Sequence, residues 1–144
     1  MNTLHKSSQL FALLLFAVAG CGESYDVPPV DQLAVELRNP EYRWKGPCSR
    51  EDRIPVLHAA RALACIGDDA VPTLLDAAKD PEVDIISVHD ALSEIGLPVS
   101  LFYDDLMARD VSQLEQWWHE NMERTRGARN EHRSIIGLPP VRVQ

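Results

Sequence analysis

The sequence predicts an all-α protein of about six helices, and three observations indicate this fold class. Apolar residues recur at spacings of three and four, which is the period of one helix face. Two apolar stretches end in glycine, and two shorter ones end at an Asn-Pro or Asp-Pro pair, both of which are typical helix stops. No stretch has the apolar and polar alternation of a convincing strand.

The two glycine-terminated stretches match each other at an offset of 29 residues. Residues 53–67 read RIPVLHAARALACIG and residues 82–96 read EVDIISVHDALSEIG. Their shared apolar positions lie on one helix face, and glycine suits the left-handed position that closes a helix. The pattern predicts two helices that stop at Gly67 and Gly96, with Ser49 and Asp52 marking the start of the first.

A second pair of stretches matches at an offset of 41 residues. Residues 30–41 read VDQLAVELRNPE and residues 71–82 read VPTLLDAAKDPE. Both are predicted to be short helices followed by a proline turn, because the residue before proline is disfavoured in helical geometry. The longer offset implies an insertion near residues 42–53, and residues 99–107 fit the same slot a third time.

This alternation of two helix types resembles a known repeat family. The segment 62–75, ALACIGDDAVPTLL, carries the resemblance to HEAT-like repeats, in the short form also found in phycobilisome-lyase-like proteins. It covers roughly residues 30–107 and implies a short right-handed α-solenoid of antiparallel helix pairs whose usual activity is protein binding. The chain departs from that pattern at Gly96-Leu97-Pro98, which replaces an acidic loop, and at Asp84 and Asp90, where many repeats carry basic residues.

A repeat stack needs a cap at its end, and residues 112–126 are predicted to supply a C-terminal capping helix. Ser112 and Glu115 have the spacing of a capping box. Trp117 and Trp118 either cap the solenoid or serve as partner-binding anchors, since tryptophan is enriched at binding hot spots. The adjacent pair His119-Glu120 is interpreted as the rim of that surface.

The N-terminus has the parts of an export signal. His5 and Lys6 precede an apolar run at residues 10–19 that is too short to cross a bilayer. Val18-Ala19-Gly20-Cys21 resembles the lipobox of bacterial lipoproteins, which implies removal of residues 1–20 and acylation, including palmitate, at Cys21. The alternative is an ordinary signal peptide with a chance cysteine. Two or three acyl chains hold a protein firmly to a membrane.

The lipobox interpretation divides the chain into four parts and places it in a bacterial cell envelope. Residues 1–20 are the signal peptide, 21–29 a tether, 30–126 the HEAT-like repeat domain, and 127–144 a basic, irregular C-terminal tail. The predicted protein faces the periplasm, and Gly22 in place of an aspartate after Cys21 favours the outer membrane over the inner one.

The motif content predicts neither an enzyme nor a cofactor or metal site, because no glycine-rich phosphate loop, nucleophile elbow or zinc motif occurs. His58, His89 and Asp90 could ligate zinc if they converged, but solvated helix-surface histidines are the favoured interpretation. Cys48 and Cys65 are the thiols left beside the lipidated one. Joining them requires the intervening loop to fold back, and the sequence favours two unbridged thiols.

The charges are segregated along the chain. The net charge is −8, from 22 acidic and 14 basic residues, which argues against nucleic-acid binding. Residues 51–110 hold 13 acids and four basic residues, whereas 124–144 hold five arginines against one glutamate. The basic segment is a solvated, frayed tail, or folds against the protein's own acidic face, or meets anionic lipid or peptidoglycan.

Taken together, these features predict a membrane-anchored envelope lipoprotein that acts as a non-catalytic adaptor between proteins. Its partners are the lipid membrane, through acylated Cys21, and an envelope protein. The alternatives are an accessory factor to a chromophore or redox enzyme, or a structural envelope element without a specific partner. A polar pocket containing His58, His89 or Cys48 would favour the accessory factor.

Overall fold

The computed structural model describes residues 27–42 and 58–138, and within these ranges the protein is all-helical. This confirms the predicted all-α class, and no strand occurs in the described ranges. The described part contains six α-helices, which are α1 (Val30–Glu36), α2 (His58–Ile66), α3 (Val71–Ala78), α4 (Ile85–Ile95), α5 (Tyr103–Met107) and α6 (Ser112–Ile135). Short 3-10 helices at Asp68–Ala70 and Val99–Phe102 precede α3 and α5.

Helices α2 and α4 stop at the predicted glycines. Gly67 has φ of +89° and Gly96 has φ of +102°, values that side-chain-bearing residues rarely adopt. At the end of α4, the Gly96 and Leu97 amides donate to the carbonyls of Ser93 and Leu92, both at 3.0 Å. This pair of bonds satisfies carbonyls that a helix end otherwise leaves open.

Helices α1 and α3 are followed by the same turn. The Asn39 side chain accepts from the Glu41 amide, and the Asp80 side chain accepts from the Glu82 amide, each at 3.0 Å. The side-chain oxygen thereby closes a turn that a backbone carbonyl would otherwise close. The prediction of a helix followed by a proline turn is confirmed at both places, and α1 and α3 therefore share a local geometry as well as a sequence pattern.

The third predicted helix of this type is split into a 3-10 helix and α5. Beyond α5, Arg109 has φ of +63°. Its guanidinium donates to three backbone carbonyls, one in the last residue of α3 and two in the loop that follows. These are Ala78 at 3.1 Å, Asp80 at 2.5 Å and Val83 at 2.9 Å. One cation thus serves the carbonyl end of α3, where the helix dipole favours positive charge.

The core lies between α2 and α4, which pack against each other more extensively than any other pair in the described chain. Helix α1 contacts α2 and α3, and α3 contacts α4. Leu63 on α2, Leu74 on α3 and Leu92 on α4 are fully buried at the centre of this packing. Each helix contributes one apolar face, so the core follows the helical period of the sequence.

Helix α6 corrects the predicted domain boundary. It runs to Ile135, so the prediction of an irregular tail from residue 127 is wrong over 127–135. Arg129 is 2 % exposed and Arg133 is fully buried. These basic side chains therefore pack into the protein and are not exposed to solvent. Residues 139–144 lie outside the described ranges.

The start of α6 also differs from the predicted capping box. The Ser112 hydroxyl and amide both donate to Asp110 Oδ1, at 2.6 and 3.0 Å, so an aspartate before the helix begins it. These bonds stabilise the charged carboxylate, and the hydroxyl of Ser112 first and its amide second hold the pKa of Asp110 below its usual range. No helix of the described residues combines the length and the apolar character needed to cross a membrane.

Candidate functional site

A groove between α1 and α3 is the candidate binding surface. Its larger hollow has a volume of about 420 Å³. Val35 on its α1 side is 72 % exposed, and Val83 at the loop before α4 is buried. The lining residues come from both helices and the loop after α3, and they are Ala34, Val35, Leu37, Arg38, Thr73, Asp76, Ala77, Asp80 and Val83.

A second hollow continues the groove toward α2 and α4. It has a volume of about 240 Å³ and shares Leu37 and Arg38 with the first. Its remaining lining residues are Glu36, Asn39, Pro40, Tyr42, Ala59, Ala60, Glu82, Asp84 and Ser87. We call the two hollows together the α1–α3 groove.

Arg38 divides the α1–α3 groove at the boundary of its two hollows. Its Nε donates to Asp80 Oδ2 at 2.6 Å and lies 3.9 Å from a Glu82 carboxylate oxygen. The arginine side chain is 59 % exposed, and that of Glu82 is 75 % exposed. Among the described residues, the lining contains five acids and one basic residue, so this part of the groove has a negative rim over a partly apolar floor.

The electrostatics of the groove keep its central acid charged. The Glu82 amide first, and the Arg38 guanidinium second, hold the pKa of Asp80 below its usual range, because both donate to its carboxylate. Burial raises the pKa of the Tyr42 phenol, and the nearby Glu36 carboxylate adds to this effect. The groove therefore presents an ionised Asp80 carboxylate and a neutral Tyr42 phenol near pH 7.

The histidines proposed as metal ligands are not brought into a metal site within the described residues. His89 Nδ1 lies 3.0 Å from Asp90 Oδ1, and its ring meets Tyr103 edge-on at 5.6 Å between centroids. His58 is in α2, but its side chain is outside the description. Among the described residues no group of three or more histidine, cysteine or carboxylate side chains is placed to hold a metal ion.

The two tryptophans occupy different environments on α6. Trp118 is 4 % exposed and belongs to the core. Trp117 is partly buried and packs against the same core. His119 and Glu120 are exposed. Partner binding through Trp117 remains a prediction, whereas Trp118 has little surface to offer.

The cysteine predictions are only partly within the described ranges. Cys65 is buried in the last turn of α2. Cys21, the predicted lipidation site, and Cys48 lie outside the described residues.

The basic segment of α6 folds against the acidic part of the protein, which is one of the alternatives drawn from the charge pattern. Arg129 pairs with Asp68 in the 3-10 helix after α2, and its Nη2 donates to the Met122 carbonyl at 2.5 Å. The guanidinium carbon lies 4.8 Å from the Trp118 ring centroid, a cation–π distance. Arg126 Nε lies 3.8 Å from Asp68 on the outer side.

Two further side chains of α6 serve the carbonyl ends of other helices. Arg133 donates to the carbonyls of Ala64 at 2.6 Å and Cys65 at 2.9 Å, in the last turn of α2. His132 Nε2 lies 3.1 Å from the Ser93 carbonyl, in the last turn of α4. The helix dipole favours a cation such as Arg133 at the end of α2, so α6 is fixed by charge and polar contacts as well as by apolar contacts.

Glu94 joins this region through an ion pair with Arg61 across α2 and α4. Burial is the largest influence and raises the pKa of the Glu94 carboxyl, while Arg61 opposes the rise most strongly. Asp90 also raises it, and Arg133 and His132 lower it. A carboxyl at this position is thus more easily protonated than an exposed one.

Sequence reasoning missed Arg38, Arg129 and Arg133 as organising residues. A signal for the last two was present, because arginines at 126, 129 and 133 have the spacing of one helix face. Arg38 and Asp80 carried no such signal, since 42 residues separate them in the chain.

Comparison with protein-family models, with curated proteins and with solved structures finds no match to this chain.

Proposed function

We propose that the protein is a lipid-anchored bacterial envelope protein that acts as a non-catalytic adaptor and binds another envelope protein in the α1–α3 groove. The observation that carries this proposal is the groove itself, a concave surface with an apolar floor and an acidic rim. Concave surfaces with a few placed polar groups are typical of binding sites. The lipobox at Val18–Cys21 supports the anchor, and acylated Cys21 would hold the protein on the periplasmic face of the outer membrane.

The helix packing supports a HEAT-like solenoid within this proposal. Helix α2 packs on α4, and α1 packs on α3, so like elements of successive repeats lie side by side. The matching turns at Asn39 and Asp80 support the same assignment, because each follows the second helix of a proposed pair. Helix α6 then closes the end of the stack, as a terminal repeat must.

The anchor is tested by replacing Cys21 with serine and fractionating the cells. We expect the wild-type chain to incorporate a labelled fatty acid and to sediment with membranes, and Cys21→Ser to lose the label and retain its signal peptide. The matched control is Cys48→Ser, which removes a thiol elsewhere and keeps the label. Unchanged labelling of Cys21→Ser contradicts the lipid anchor.

The adaptor role is tested by placing a photo-crosslinking residue at Val35 in cells that express the protein. Val35 is 72 % exposed in the groove, and Leu101, at 77 % exposed, is the matched control outside it. We expect a discrete crosslinked envelope protein from Val35 and none from Leu101. Equal or absent crosslinking at the two positions contradicts an adaptor that works through the groove.

A further inference from the structure

We propose that the α1–α3 groove takes a segment of the partner protein that carries arginine or lysine beside apolar residues, and that Arg38 occupies the cation position until the partner arrives. This inference rests on the proposed adaptor function and specifies the chemistry of the partner at the same site.

The rim of the α1–α3 groove determines the charge of the occupant. Asp76 and Asp80 line the larger hollow, and Glu36, Glu82 and Asp84 line the smaller one. Some of these acids already have local partners, since Lys79 contacts Asp76 at 3.2 Å and Asp84 accepts amides at the start of α4. The remaining negative charge favours a cationic partner, because complementary charge directs association and excludes anionic competitors.

The floor of the groove determines that the occupant is also apolar. Val35 is 72 % exposed there, and the nearby lining side chains Ala34, Leu37 and Ala77 are apolar. Covering exposed apolar surface is the favourable part of most associations. A purely basic segment would leave this surface in water, whereas a segment that combines both residue types covers the floor and reaches the rim.

Asp80 is positioned to receive a guanidinium independently of Arg38. Its Oδ1 accepts from the Glu82 amide at 3.0 Å, which fixes the carboxylate by the backbone of its own loop. Oδ2 faces Arg38. A guanidinium from another chain can therefore replace that of Arg38 on a carboxylate that does not need to move, and charge-assisted bonds of this kind are strong and directional.

Arg38 reaches its carboxylate from the solvent side and can be displaced there. Its Nε and Nη2 both donate to Asp80, and its side chain is 59 % exposed, against 17 % for Asp80 and 75 % for Glu82, its second partner. Ion pairs in contact with solvent contribute little net stability. When Arg38 swings out, the two hollows that share it become continuous, which lengthens the groove for an extended segment.

A second acidic and apolar surface of the protein lies outside the α1–α3 groove. Leu101 is 77 % exposed and Tyr103 47 % exposed, with Asp104 and Asp105 beside them in the chain. This surface has a similar composition, which makes it a matched control for non-specific attraction of cations.

The test measures binding of a fluorescent peptide to the full mature protein in a neutral detergent. The probe is an amphipathic peptide of leucine, alanine and arginine, and its counterpart has glutamate in place of every arginine. We expect the basic peptide to bind and the acidic one not to bind. Arg38→Ala is expected to tighten binding by about fivefold, since the competing guanidinium is gone.

Two variants with the same change of charge separate the groove from general electrostatics. Val35→Lys places a cation on the apolar floor of the groove and is expected to weaken basic-peptide binding by about tenfold. Leu101→Lys makes the same change on the other surface and is expected to leave binding unchanged. Both positions are exposed, so folding is retained even where Arg38→Ala perturbs the loop.

Equal weakening by Val35→Lys and Leu101→Lys, or failure of the basic peptide to bind, overturns the inference. These results are distinct from failure of the proposed function. If a partner crosslinks at Val35 in cells but the basic peptide does not bind, the proposed adaptor function is retained and the partner segment is not basic. If no partner crosslinks at Val35, the adaptor function itself fails.

Discussion

Arginine is the residue type that holds the described structure together outside its apolar core. Arg109 and Arg133 serve the carbonyl ends of α3 and α2, and Arg129 is enclosed by Asp68, Trp118 and backbone of its own helix. A guanidinium has five donors in a planar fork, so a single side chain can satisfy several carbonyls. A buried charge that loses its partner is costly, which makes these residues sensitive to substitution.

Arg129 and Arg126 differ in burial and share one carboxylate, so they form a matched pair. We expect Arg129→Met to lower the free energy of unfolding by about 3–5 kcal/mol, because Asp68 loses its enclosed partner. Arg126→Met should cost only about 0.2–1 kcal/mol, since its side chain is 32 % exposed. Urea denaturation followed by circular dichroism measures both, and equal costs would contradict a dominant role for Arg129.

The burial of Glu94 leads us to expect that the stability of the fold depends on pH. Burial raises the pKa of its carboxyl in the folded protein above the ordinary value of 4.5. The folded state therefore binds the proton more tightly, and this contribution to stability is present below about pH 4.5 and is lost as the pH rises through the folded-state pKa.

We expect Glu94→Gln to remove that part of the pH dependence, because the amide does not titrate and can still accept from Arg61. Urea midpoints between mildly acidic and neutral pH measure the effect. Glu120→Gln, at an exposed position, is the control and should keep the wild-type profile. A profile for Glu94→Gln that parallels the wild type is the result that contradicts this.

At the scale of elements, helix ends explain most of the local architecture. Gly67 and Gly96 close α2 and α4 with positive φ, Asp84 begins α4 by accepting from the Ile86 and Ser87 amides, and Asp110 begins α6. Each of these residues helps to satisfy backbone N–H or C=O groups that a helix leaves unpaired at its termini. Side chains from other helices then bond to the remaining carbonyls at the C-terminal ends.

Replacement of glycine by alanine is predicted to have opposite effects on stability at Gly96 and Gly127. A Cβ on Gly96 would lie 2.8 Å from Arg129 Cγ, and its φ of +102° is unsuited to alanine. We expect Gly96→Ala to cost about 2 kcal/mol or more, because strain and displacement of Arg129 add. Gly127 lies within α6 with nothing near its Cβ position, so Gly127→Ala should stabilise by about 0.5–1 kcal/mol. Thermal unfolding measures both, and a stabilising Gly96→Ala contradicts the assignment.

The sequence could predict the elements whose signals are local. Apolar periodicity identified the helices that end at Gly67 and Gly96, and proline placed the turns after α1 and α3. Hydrophobic periodicity did not predict that α6 continues past residue 126, because buried arginines do not contribute to it. The spacing of the arginines was the signal that remained there. The α1–α3 groove was also beyond local reasoning, since Arg38 and Asp80 meet only through packing of α1 on α3.

At the scale of the whole molecule, the described chain is one core closed by a charged helix. Residues 127–135 belong to that closure rather than to a tail, because Arg129, His132 and Arg133 connect α6 to the ends of α2 and α4. The acidic and basic parts of the sequence are thus partners within one chain.

We expect removal of residues 127–144 to abolish cooperative unfolding, because the carbonyl ends of α2 and α4 lose their contacts with Arg133 and His132. Circular dichroism with urea and limited proteolysis measure this. A full-length control with Glu131→Gln and Ile135→Ser changes exposed positions of the same segment and should unfold like the wild type. Retention of a cooperative transition by the truncated chain would show that the segment is dispensable.

The contacts of α6 also determine when the chain can complete its fold during synthesis. The bonds from Arg133 to α2 close loops of 69 and 68 residues, and the pair of Arg129 with Asp68 spans 61. Long-range contacts of this kind form late, because loop closure must precede them. A ribosome releases α2, α3 and α4 well before Arg133, so the carbonyl end of α2 lacks these bonds until Arg133 has emerged.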